Sequence, residues 1–205
     1  MKDNKTQEAI WKAAEEEFLL KGFAGARTTE IAQKAGVNHA MLHYYFKSKE
    51  QLFDYVMSQK MQQVQESVAI VFQWEEIPVK ERILEAMNRH FHFLCQNPTL
   101  PRFIINETIT RPEYIEELKD IGIHTLKEIV LRLQKDLDKA ADEGTVCRID
   151  ATELLMDIVS LNIFPFIVSP VLQSIQPGMD MDAFYERRRK ENENTFLQRL
   201  HPNKP

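Results

Sequence analysis

Between Thr28 and Lys49 the sequence reads Thr-Thr-Glu-Ile-Ala-Gln-Lys-Ala-Gly-Val-Asn-His-Ala-Met-Leu-His-Tyr-Tyr-Phe-Lys-Ser-Lys, two short helical patterns with a single glycine between them. Thr28 is a candidate N-cap for the first, whose inward side would be Ile31, Ala32 and Ala35. Gly36 supplies the turn, where a positive φ would strain any residue with a side chain. Val37, Leu42 and Tyr45 or Phe46 form the apolar side of the second pattern. Small residues at 32, 35 and 36 permit the close backbone approach that two steeply crossed helices need. This is the spacing of a helix-turn-helix, whose second helix can enter the major groove of DNA.

The flanking sequence completes that unit. A helix is expected from about Lys5 to Lys21, with Asn4 and Gln7 as a capping box and Gly22 as its stop. Ile10, Trp11, Ala14 and Phe18 recur on one side of it, and Phe23 follows the glycine as a plug for the same core. Ser48 with Gln51 forms a second capping box, opening a helix that continues through Leu52, Phe53, Val56 and Met57 towards Gln73.

The residues Thr28-Thr29-Glu30-Ile31-Ala32, Ala35-Gly36-Val37, Leu42, Tyr44-Tyr45-Phe46-Lys47-Ser48-Lys49 and Leu52-Phe53 resemble the N-terminal domain of the TetR (tetracycline-repressor-like) family of bacterial transcriptional regulators. The resemblance is strong over about residues 6–55 and architectural beyond them. It implies repression of transcription and a set of DNA-facing residues: Thr28, Thr29, Asn38, His39, Ala40, Met41, His43, Tyr44, Tyr45 and Lys49. Chemically, Asn38 can pair with an adenine edge, His39 or His43 can bond to guanine or phosphate, and Met41 can touch a thymine methyl. Lys49, at a helix N-terminus, resembles the family's phosphate-contacting lysine. The sequence departs from the family at His43, where tyrosine is usual at that position or the next, and at Met41, where threonine or serine is usual nearby.

Beyond Trp74 the pattern changes to longer amphipathic helices, broken at Pro78, at Pro98 to Pro101, at Arg111-Pro112 and at Gly144. No convincing strand alternation, repeat or low-complexity tract occurs, so the chain reads as all-α with about nine helices. The expected division is a helix-turn-helix DNA-binding domain over residues 1–50 and a helical effector-binding and dimerisation bundle over 51–205. Pocket-lining candidates in the bundle are Met61, Met87, Phe91, Phe103, Asn106, Thr110, Tyr114, His124 and Asn162, a set suited to an apolar or aromatic small molecule. A helix over Thr152–Ile175, kinked at Pro165, and another over Met181–Leu200 would by resemblance pair with their copies in a homodimer. The expected interface residues are Leu154, Ile158, Leu161, Phe184, Arg188, Phe196 and Leu200. Such a dimer would read palindromic double-stranded DNA.

Composition constrains the alternatives. Of 205 residues 43% are hydrophobic and 28% charged, as in ordinary globular proteins. The net charge of −5 argues against indiscriminate nucleic-acid binding, yet residues 1–60 carry 9 Lys+Arg against 8 Asp+Glu and the remaining 145 carry 17 against 23. No nucleophile motif, phosphate loop or His-Glu-x-x-His metal motif is present, so no catalytic residues are expected. His39 and His43 lack a third ligand, while His90 and His92 are splayed by about 200° on a helix and leave only His92 and Cys95 on a shared face. No metal or other cofactor is therefore assigned. Two cysteines and no apolar run of secretory or membrane-spanning length predict a cytoplasmic protein. The competing readings are a DNA-binding protein that acts without an effector and, less favoured, a helical enzyme.

Overall fold

A computed structural model of the chain describes residues 2–69, 76–111 and 124–202, with the side chains of residues 2–4, 67, 69 and 124–126 excepted. Among the described residues there are nine α-helices and no strand: α1 (Lys2–Gly25), α2 (Thr28–Lys34), α3 (His39–Tyr45), α4 (Lys49–Ala69), α5 (Val79–Gln96), α6 (Leu100–Thr110), α7 (His124–Asp142), α8 (Ala151–Ile175) and α9 (Met181–Arg199). The chain divides into two compact units, residues 1–63 with 103–121 and residues 64–102 with 122–205. The boundary falls inside α4 and again inside α6, so each of these helices contributes to both units.

The first unit is built on an aromatic core. Phe53 of α4 meets Phe18 and Phe23 edge-on, each with ring centroids 5.0 Å apart, and Phe103 of α6 at 5.9 Å. Ile10, Ala14, Ile31, Leu42, Leu52 and Val56 are buried in the same unit, and so is Met57. α1 begins at Lys2, which puts Asn4 inside the helix rather than at its cap. Its helical run breaks at Gly22 (φ 70°, ψ 173°), where the stop was expected. Glu17 is a fully buried carboxylate that joins α1 to α2 through Lys21 at 2.6 Å and Lys34 at 2.8 Å. Burial pushes its pKa up, but the two ammonium groups prevail and hold it at about 2.

The second unit packs α5, α7, α8 and α9 around Ile83, Met87, Leu133, Leu137, Leu154, Phe196 and Leu200. Phe166 of α8 lies between Phe91 of α5 and Tyr185 of α9, at 5.5 and 4.5 Å. Asp150 caps α8 by accepting the Thr152 and Glu153 N–H groups, and Asp180 caps α9 by accepting that of Ala183. α8 is one uninterrupted helix through both Pro165 and Pro170. It is also long and apolar enough to cross a membrane by length and composition, which the sequence reading had not recognised. One side of it packs into this bundle, where fully buried Asn162 is hydrogen-bonded to α5 and α9.

Candidate nucleic-acid interface

The turn between α2 and α3 is made by two backbone bonds. The Val37 N–H reaches the Ala32 carbonyl at 3.0 Å and the Gly36 N–H reaches that of Gln33 at 3.1 Å, with Gly36 at φ 68°. This is a Schellman closure, which needs the left-handed conformation that glycine adopts without strain. Asn38 then starts α3: its Oδ1 accepts the Met41 N–H at 2.7 Å. That bond uses one of the two acceptor sites of the oxygen, so Asn38 is a cap as well as an exposed polar residue at the start of α3. Thr28 is likewise not the cap of α2; that position is Arg27, whose side chain makes no capping bond. The Thr28 hydroxyl instead lies 3.0 Å from His39 Nε2, joining the first residue of α2 to the first of α3.

α3 inserts Leu42 into the core and turns His39, Ala40, Met41, His43 and Tyr44 to solvent. The His39 and His43 rings meet edge-on at 4.8 Å, and Tyr44, 70% exposed, meets Tyr45 at 5.3 Å. Thr29 is exposed, while Thr28 and Tyr45 are half-buried. Ser48 Oγ accepts the Gln51 N–H at 3.2 Å and caps α4, as the Ser-Gln spacing predicts; Gln51 returns to the Lys47 N–H at 3.3 Å. Half-buried Lys49 holds its ammonium 4.6 Å above the Phe23 ring. Lys47, which the sequence reading did not single out, is exposed and folds over Tyr44, 5.5 Å from the ring and 3.1 Å from its carbonyl. Arg27 was also missed. It is exposed and has no carboxylate partner among the described residues, whereas Lys12, Lys21, Lys34 and Lys60 are each ion-paired. The signal for it was its place directly before the Thr-Thr pair.

The expected pocket residues fall in both units. Met61, Phe103, Asn106 and Thr110 belong to the first unit, and Met87, Phe91 and Asn162 to the second. Phe103 is core, Asn106 and Thr110 are exposed, and Met87 and Phe91 are buried. Asn162 is committed: its Nδ2 donates to the Met87 carbonyl at 3.0 Å and lies 3.3 Å from His90 Nδ1, and its Oδ1 accepts from Asn192 at 3.0 Å. Burial lowers the His90 pKa to about 4, so the ring is neutral and its Nδ1 can accept from that amide. Tyr114 and the side chain of His124 lie outside the described residues. A surface groove of about 500 Å³ does lie along α5 and α9, lined by Glu85, Asn88, Arg89, His92, Phe93, Gln96 and Arg189, none of them expected.

The expected dimer residues need a similar correction. Leu154, Ile158, Phe196 and Leu200 are buried in their own subunit's core, with Leu161 packed against it. Arg188 is tied to Asn192 at 2.8 Å, and Phe184 is half-buried beside Tyr185. Exposed instead are Met156, Val159, Phe164, Val171 and Ile175 of α8, and Leu197 of α9. At about 100° per residue Met156 falls opposite Leu154 and Ile158, while Val159 on one flank and Phe164, Val171 and Ile175 on the other lie about 80–120° from them.

Residues 10–56 match the profile of the bacterial regulatory proteins of the tetR family, and residues 80–195 match the tetracyclin repressor-like C-terminal domain. The chain belongs to the TetR family. It is 30% identical over 128 residues to an uncharacterized HTH-type transcriptional regulator of Bacillus subtilis, YdgC, covering 60% of this chain and 63% of YdgC. Over 50 residues it is 44% identical to the HTH-type transcriptional repressor NicS of Pseudomonas putida, covering 24% of each. The matched stretches thus span less than two thirds of these curated relatives. Among solved structures, FadR of Bacillus subtilis in complex with stearoyl-CoA superposes with a TM-score of 0.66 at 21% identity, over 95% of this chain and 99% of that one. FadR of Bacillus halodurans, a fatty acid degradation regulator, gives 0.61 at 19% identity, over 92% and 94%. At such identities the likeness establishes the TetR fold.

Proposed function

We propose that this TetR-family chain is a cytoplasmic, dimeric repressor that binds a two-fold symmetric operator and is released by a small apolar or aromatic molecule. The observation that carries the reading is the outward face of α3, where His39, Ala40, Met41, His43 and Tyr44 are exposed on a helix fixed at its start by Gly36 and Asn38 and anchored midway by Leu42. That face combines hydrogen-bonding and apolar groups of the kinds that read base edges. Arg27, Lys47 and Lys49 supply phosphate contacts, so affinity falls steeply with salt. Two copies joined through the exposed apolar side of α8 bring two such helices to one duplex, because a single module reads only a few base pairs.

Support for an effector comes from the extent of the second unit, since DNA reading alone uses only the first fifty-odd residues. Beside small apolar and aromatic compounds, long-chain acyl-CoA thioesters, an apolar tail on an anionic carrier, belong in the first panel, given the stearoyl-CoA held by the FadR neighbour. The deciding experiment selects duplexes from a random pool with the purified full-length chain. An enriched two-fold symmetric site, released by one compound of a panel that includes stearoyl-CoA, is the expected outcome. Selection without symmetry or enrichment overturns the operator reading. An enriched site that no compound releases points to the constitutive DNA-binding alternative.

A further inference from the structure

In the first unit, Glu107 of α6 is 2% exposed, and it is not held as Glu17 is. Its Oε1 accepts the Phe23 N–H at 2.9 Å, a bond between residues 84 apart, while its buried Oε2 has no hydrogen-bond partner. A desolvated carboxyl oxygen without a donor opposes burial, so packing must hold Glu107 in place. Phe103 and Glu107 of α6 and Arg111, the residue after it whose N–H bonds the Glu107 carbonyl at 2.8 Å, stand at i, i+4 and i+8 along one face. Phe103 packs on Phe53, and the Arg111 guanidinium lies 3.9 Å over the Phe23 ring and 5.1 Å from that of Phe53. Between them Glu107 meets the corner where α1 gives way to α2. Gly22 at that corner is required by its φ of 70°, and a Cβ on it would stand 2.9 Å from Glu107 Oε1 and displace that flexible carboxylate. The corner in turn leads into the reading helices, with the Ala26 N–H bonded to the Gly22 carbonyl and those of Glu30 and Ile31 to Arg27.

We infer that Glu107 is a positioning residue for DNA recognition, a latch that fixes the α1–α2 corner and through it the setting of α3. The one hydrogen bond of its carboxyl group among the described residues goes to Phe23 and none to the outward α3 face, so its effect on DNA is indirect. The orphaned Oε2 makes the closed latch only weakly favoured, since an opened one returns that oxygen to water. A small displacement of α6 therefore suffices to free the corner. This assignment rests on the DNA-binding reading above.

The test uses full-length Glu107→Leu, Glu107→Gln and Gly22→Ala chains, with amide hydrogen exchange and binding to the selected duplex. Leu removes the acceptor for the Phe23 N–H, Ala forces the carboxyl away, and Gln keeps an acceptor oxygen. With the wild-type helical content retained, Leu and Ala should each speed exchange at Phe23 and over residues 28–45 by tenfold or more. Both should weaken the selected duplex at least tenfold, because the corner that carries Arg27 and sets α3 is no longer fixed. Gln should stay within about twofold of wild type in both measurements, the one acceptor bond being retained. Wild-type affinity in both the Leu and Ala chains, or a Gln chain that behaves like Leu, overturns the latch while leaving the repressor reading intact. A wild-type chain that selects no duplex overturns the repressor reading instead. The latch then stands or falls on whether exchange over residues 28–45 rises in the Leu and Ala chains.

Discussion

Asn38 and His39 are neighbours in sequence with different duties, and a binding experiment can separate them. Asn38 spends its oxygen on the Met41 N–H, so Asn38→Ala should destabilise the chain by about 1 kcal/mol and weaken every duplex alike. His39, steadied by Thr28 but exposed, should behave differently: His39→Ala should change the preferred bases in a repeated duplex selection. Glu17 sets a pH limit on the same unit. Its folded pKa of about 2 lies below the ordinary 4.5, so its stabilisation is complete above that value and is lost as pH falls from 4.5 through 2. The amount is roughly 1–3 kcal/mol, allowing for the partial exposure of its two lysine partners. Urea midpoints measured between about pH 5 and pH 2 should fall in wild type and fall less in Glu17→Gln, whose carboxamide does not titrate. Equal acid slopes in the two chains would move the pH sensitivity to another carboxylate.

At the scale of elements, α8 separates what the sequence could disclose from what it could not. α1 to α4 were legible because their signals are local: Gly36 in a turn, Ser48 three residues before Gln51, and Ile10, Ala14 and Phe18 at helical spacing. In α8 the apolar residues run around the whole circumference, so periodicity cannot say which side is core. That choice is made by α5, α7 and α9, which cover Leu154 and Ile158 and leave Phe164 and Val171 exposed. Pocket residues were illegible for a related reason, since Met87 and Phe91 have the chemistry of either a core or an apolar cavity. The corrected faces make opposite predictions for charge. Phe164→Arg with Val171→Arg should give a folded monomer by sedimentation, with helical content unchanged. Phe196→Asp, placing a charge in a side chain 1% exposed, should cost about 3–5 kcal/mol and unfold the second unit. Sedimentation of the double arginine variant as an intact dimer would move the interface off this side of α8.

On the scale of the molecule, α4 and α6 are the two helices common to both units, and α4, roughly 30 Å long at its 21 residues, begins at Lys49 beside the reading helix. Met57 is buried in the first unit's core, so a tilt of α4 is felt by the packing that holds α3 as well as by Lys49. A two-fold operator fixes the spacing of two reading helices, and a dimer that changes that spacing forfeits contacts on at least one half-site. An effector that releases DNA does so only by binding the released form more tightly, since equal affinity for both forms shifts nothing. Linkage then requires the operator to weaken the effector by the same factor that the effector weakens the operator, of the order of 5- to 150-fold for a coupling of about 1–3 kcal/mol. The measurement is effector affinity by calorimetry, with and without saturating operator duplex, on wild type and on the double arginine variant of α8. In wild type the two affinities should differ by the factor found for DNA release. The monomeric variant has no fixed spacing to violate, so its effector affinity should be nearly independent of a single half-site duplex. An effector that binds the wild-type dimer equally with and without operator would reject coupling through spacing, even for a chain that selects its operator cleanly.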